Sequence, residues 1–189
     1  MSNDIFWSDD AFPSDFFSED ASSGDSFSGP QHYSSDSHHA SVIEHQLVEI
    51  EELLEQQNYY QAWKRLSSVL AGQPELMSQA TREQYADLWG TLGITVGLDG
   101  NLQESLTILR RAIAEHRAAE DEVGEMIDWL NLGEMQTRLG DGASAVVSLT
   151  EARRMAMTTS HQPGLEKANL LLTNARRLSL INGFGQHRN

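Results

Sequence analysis

Seven histidines and 28 carboxylates are the side chains of this sequence best suited to chemistry, as metal ligands or as acid–base groups. Their spacing does not gather them. His38 and His39 stand beside Asp36 in a segment without helical or strand period, where lone histidines usually meet solvent. His116 and His161 fall at the ends of expected helices with no paired ligand evident. The chain has no cysteine, so neither a disulfide nor a thiolate metal site can form. Gly183-Phe184-Gly185 lacks the third glycine of a dinucleotide fingerprint and follows a helix, a poor setting for a phosphate cradle. No Walker-type loop and no His-Glu-x-x-His helix occurs, and no Ser or Thr has a nucleophile's context. Carboxylates on amphipathic helices mostly form the wet face. No catalytic, cofactor or metal residue is assigned, and an enzyme is not expected.

The charge is unevenly spread. Residues 1–40 hold eight acidic side chains and no Lys or Arg, so they carry −8 of the formal −15 and leave −7 for the rest. So acidic a chain lacks the clustered positive charge that attracts phosphates, and direct nucleic-acid binding is not expected. Its start is acidic where a secretory signal is basic, and no apolar run is long enough to span a bilayer; a cytoplasmic protein without membrane contact is the expectation. Residues 1–40 are rich in Ser, Asp and Gly, contain Pro13 and Pro30, and cannot bury enough apolar area to offset their ordering entropy. They read as a disordered arm. Phe6, Trp7, Phe12, Phe16 and Phe17 punctuate its acids, the composition of a docking segment that folds on binding. A solubilising tail with incidental aromatics is the plainer alternative.

From Ser41 onward the pattern changes. Ser41 and Glu44 have the Ser-x-x-Glu spacing of a capping box ahead of an apolar-periodic run, and helix, turn and helix alternate to about Asn182. A tail, 183–189, follows. "WGTLG" at Trp89–Gly93 returns as "WLNLG" at Trp129–Gly133, 40 residues on. In that register Gly100 falls on Gly140, Leu109 on Leu149, Ala112 on Ala152 and Gly124 on Gly164; a further step puts Leu172 under Leu132. Self-similarity at this period marks stacked units, none able to bury its apolar face alone. Trp and Leu three apart share a helix face, and the glycine sits where a partner helix crosses closely. Asp99-Gly100-Asn101 and Gly140-Asp141-Gly142 supply the turns. Ala62, Ser105 and Ala145 are the small residues of the second helices at the crossing. An earlier unit, with Ala62, Leu66, Val69 and Pro74, is less regular, as end units tend to be.

At these residues the chain resembles the tetratricopeptide repeat family, over about residues 42–182. The period exceeds the usual 34 by six residues and is similar to the longer repeats of spindle-orientation adaptors and kinesin light chains. The resemblance implies an all-α, right-handed superhelix of helical hairpins, three repeats plus a capping helix, with a concave groove that takes a peptide. Carried over by position, the groove residues are Glu44, Leu47, Glu51, Leu54 and Glu55, then Asp87, Gly90, Ile94 and Leu98. Ile127, Leu130, Glu134, Thr137 and Arg138 follow, then Lys167, Leu170, Asn174 and Arg177. Such a surface is acidic at its N-terminal end, apolar in the middle and basic at its C-terminal end. The same charges also suit an ordinary solvated face.

The function expected is binding of a protein or peptide partner, as an adaptor, scaffold or assembly factor. The arm would dock elsewhere or lie against Arg138, Lys167 and Arg177 of its own groove or a neighbour's. A chaperone for secreted proteins, similar to the type III translocator chaperones, is one alternative; a transcription-linked regulator with an acidic activation arm is another.

Overall fold

The structure is a computed structural model that describes residues 35–69 and 77–186, with side chains for 42–69 and 77–181. Phe6, Trp7, Phe12, Phe16 and Phe17 of the arm, and Pro74, lie outside the described residues. All regular structure among those described is helical: α1 (Ser35–Glu55), α2 (Tyr59–Val69), α3 (Gln79–Leu98), α4 (Leu102–Ala118), α5 (Glu122–Leu139), α6 (Gly142–Thr158) and α7 (Gln162–Gln186). Two expected boundaries move. α1 begins at Ser35, so Ser41 lies inside it and is not its N-cap, and the last residues assigned to the arm are helical. α7 runs on through Gln186, so Gly183-Phe184-Gly185 is part of the helix and does not follow it.

From α3 onward the turns follow the 40-residue register. Gly100 and Gly140 take the left-handed conformation, φ 103° and 91°, that ends a helix at little cost when no Cβ is present. The turns after α4 and α6 place Glu120 and Ser160 there instead, at φ 56° and 55°. Asp121 then caps α5 by accepting from Val123 N and Gly124 N, and Asp141 caps α6 by accepting from Ser144 N. Asn101, in the corresponding place before α4, makes no side-chain cap bond.

These short turns fold neighbouring helices back on one another, and each helix packs on the next. The odd-numbered helices also touch in series: α1 meets α3, α3 meets α5, and α5 meets α7. The repeat positions supply the interior. Leu92 and Leu132, Leu109 and Leu149, Ala112 and Ala152, and Leu172 are all buried. A Cβ on Gly93 would lie 2.8 Å from Leu109, and one on Gly133 2.4 Å from Leu149, so the last letter of the repeated motif is what lets the paired helices close. Ser105, buried on the facing helix, donates its Oγ–H to Gly93 O at 2.6 Å. Trp89, 3% exposed, packs in the core shared by the first four helices, edge to face with Tyr85. Tyr85 Oη donates to Leu66 O at 3.2 Å and ties α3 to α2. Trp129 is only partly buried, yet it borders three apolar clusters, and its Nε1–H donates to Glu125 Oε1 at 3.2 Å. The tryptophans are mortar between successive helix pairs.

Candidate partner-binding groove

The odd-numbered helices leave one long side uncovered, and two adjoining hollows run along it. The first, about 440 Å³, lies between α1 and α3 and is lined by Glu51, Leu54, Glu55, Gln84, Asp87, Leu88, Thr91 and Thr95. The second, about 460 Å³, lies between α3 and α5 and reaches α7; Ile94, Leu98, Ile127, Asp128, Asn131, Glu134 and Lys167 are among its lining residues. Asp87, Thr91 and Thr95 border both, so the hollows form one groove.

Of the positions carried over, Glu51, Leu54, Glu55, Asp87, Gly90, Ile94, Leu98, Ile127, Glu134 and Lys167 line these hollows. The structure removes two others. Leu47 (0% exposed) and Leu130 (3%) are core residues, packed under the groove and unable to meet a ligand. Arg138, Asn174 and Arg177 are exposed but do not line either hollow. The expected basic end is also weaker than its sequence, because Glu134 answers both nearby cations, Arg138 at 3.3 Å and Lys167 at 3.7 Å. The groove is acidic toward α1 and apolar across Ile94, Leu98 and Ile127, with a near-neutral Lys167 end.

Position-by-position reading missed the floor of the second hollow. His116, at the end of α4, is 2% exposed and is ringed by carboxylates from α3, the α4–α5 turn and α5. Its Nε2 lies 3.7 Å from Asp87 Oδ1 and 3.4 Å from Asp128 Oδ2, and its Nδ1 lies 3.2 Å from Asp121 Oδ2. The sequence places His116 at a helix end; the fold adds the three carboxylates around it, which local spacing does not show. Asp128 is a buried carboxylate, and its pKa is pushed up to about 8, first by burial and then by the negative charge of Asp87. A hydrogen bond with the Asn131 side chain works in the opposite direction. Two glycines make the room: a Cβ on Gly90 would lie 2.6 Å from Asp128 Oδ1, and one on Gly124 would lie 2.2 Å from His116 Nδ1. Among the described residues no group of three or more His, Cys, Asp or Glu is arranged to hold a metal ion.

A sequence signal for this floor existed. In the 40-residue register Asp128 occupies the place held by Leu88 in the preceding unit and Ala168 in the following one, both buried, and His116 occupies that of buried Ala156. A carboxylate and an imidazole thus stand where the pattern calls for apolar side chains.

Among the described residues, fold and groove together define an all-helical array of repeated, mutually packed helix pairs. No family model matches the chain, and no curated protein or solved structure does either. Among the described residues no helix is long and apolar enough to cross a membrane.

Proposed function

We propose that the chain is a protein-interaction module of the tetratricopeptide type, a right-handed superhelix whose groove along α1, α3, α5 and α7 binds a partner polypeptide. The observation that carries this reading is the apolar strip in the groove: Leu98 is 59% exposed and Ile127 44%, beside the partly buried Ile94. Apolar side chains facing a continuous channel, rimmed by carboxylates, suit an extended or helical peptide with apolar anchors and basic flanks. An adaptor or assembly role follows from that binding mode, with the acidic, aromatic arm as a second docking segment.

The test uses paired variants of the full chain. Leu98→Glu with Ile127→Glu alters exposed groove residues, whereas Val147→Glu with Met157→Glu alters still more exposed residues of α6 outside both hollows. A partner recovered with the unaltered protein should be lost with the first pair and kept with the second. Retention by both pairs would place binding elsewhere.

A further inference from the structure

Among the described residues the buried His116–Asp128 floor occurs at one interface only. The unit before places Leu88 at the position of Asp128 and the unit after places Ala168 there, so packing the repeat does not require a carboxylate. A carboxylate removed from water is costly unless a partner compensates it. Among the described residues that compensation is incomplete. Asp128 Oδ2 has no hydrogen-bond partner, although its side chain is only 3% exposed and lines the second hollow. His116 Nε2 approaches it at 3.4 Å without forming a hydrogen bond. Above it, at the rim, the Asp87 side chain is 73% exposed.

We propose that this recess is the anchor site for one arginine side chain of the partner polypeptide, its guanidinium bridging Asp87 at the rim and Asp128 on the floor. This rests on the groove reading above and names the residue the partner must bring. The facing Asp87 and Asp128 oxygens lie 3.7 and 3.4 Å from the same His116 nitrogen, so they are at most about 7 Å apart. A planar cation with donors on two edges spans that gap with hydrogen bonds of about 2.9 Å. Arginine fits better than lysine because its guanidinium is less strongly hydrated and presents several donors in fixed directions. Ile94, Leu98 and Ile127 supply apolar walls for its aliphatic stem. Glu51 and Glu55 extend the negative field toward α1, while Lys167, the cation lining this hollow, is already turned to Glu134.

The probes are N-acetyl-arginine amide and its neutral isostere, N-acetyl-citrulline amide, titrated at about pH 9, where the Asp128 carboxyl is ionised, and at constant ionic strength into full-length protein with labelled isoleucine methyls. The arginine compound should shift the Ile94 and Ile127 methyl signals saturably, leaving the buried Ile108 signal in place, and the citrulline compound should not. Asp128→Asn and Asp87→Asn should each weaken the arginine response roughly tenfold, the loss expected for a charge-assisted hydrogen bond. Asp87 is exposed, so its variant tests the site even if Asp128→Asn disturbs folding. Equal shifts from citrulline, or a response untouched by Asp87→Asn, would overturn the proposal. If the probes fail while Leu98→Glu with Ile127→Glu still abolishes partner retention, the arginine site falls and the groove stands. If that pair leaves retention intact, the groove reading itself falls.

Discussion

Asp128→Asn should remove one large pH-dependent contribution to the stability of this fold near neutral pH. In the folded chain the Asp128 carboxyl titrates near 8, against about 3.9 for an unfolded aspartate, because burial and then the charge of Asp87 disfavour its ionised form. Between those values the folded state keeps a proton that the unfolded state gives up. Stability from this group is therefore complete below about pH 4, declines as pH rises, and levels off above about pH 8. The limiting slope is about 1.4 kcal/mol per pH unit. Asparagine has nearly the same shape and no proton to lose. The variant should gain on the unaltered protein by about 2–3 kcal/mol between pH 5.5 and 7.5, roughly 4–12 °C in Tm for a chain of this size. Urea unfolding of both proteins across pH 5–9 measures the difference directly. A difference that stays flat, or that turns against the variant as pH rises, would refute the reasoning and show Asp128 to be ionised in the folded chain across this range.

Other substitutions separate packing from surface. Leu130→Ala should cost about 2–5 kcal/mol by emptying core volume, whereas Ile127→Ala, three residues away on the groove side, should stay within about 0.5 kcal/mol; thermal melts compare them. Gly133→Ala forces a methyl into Leu149, so a loss of about 1–3 kcal/mol is expected from overpacking in the same assay. Glu120→Gly and Ser160→Gly relieve left-handed side-chain residues and should each raise stability by up to about 1 kcal/mol; a loss in either would show that the side chain, not the backbone, governs that turn. Asp141→Ala should remove about 1 kcal/mol of capping at neutral pH. The Asp141 carboxyl is held below its usual pKa, chiefly by hydrogen bonds to Ser144, so this contribution should fade as pH falls through the acid range.

The helical pairs were legible because each repeat letter has a steric cause. Gly93 and Gly133 are dictated by the leucines that cross them, and Gly100 and Gly140 by positive φ, so the 40-residue period transmits the fold directly. The start of α1 was not legible: Ser41 has the spacing of a cap, but a helix already under way upstream makes that spacing irrelevant. Helical period also cannot distinguish a groove position from the position beside it. Leu47 and Leu130 are separated from exposed neighbours by a single step around the helix, and which step faces inward depends on how the pairs are tilted. The His116 floor required contacts between α3, α4 and α5 that no local spacing encodes. Only the misfit of Asp128 and His116 among apolar counterparts in the neighbouring units pointed to it.

Partner retention by the full chain carrying Leu98→Glu and Ile127→Glu, set against Val147→Glu and Met157→Glu, tests the groove most directly. Loss of the partner with the first pair alone, both proteins melting like the unaltered chain, is the predicted result. Undiminished retention by the groove pair would contradict it.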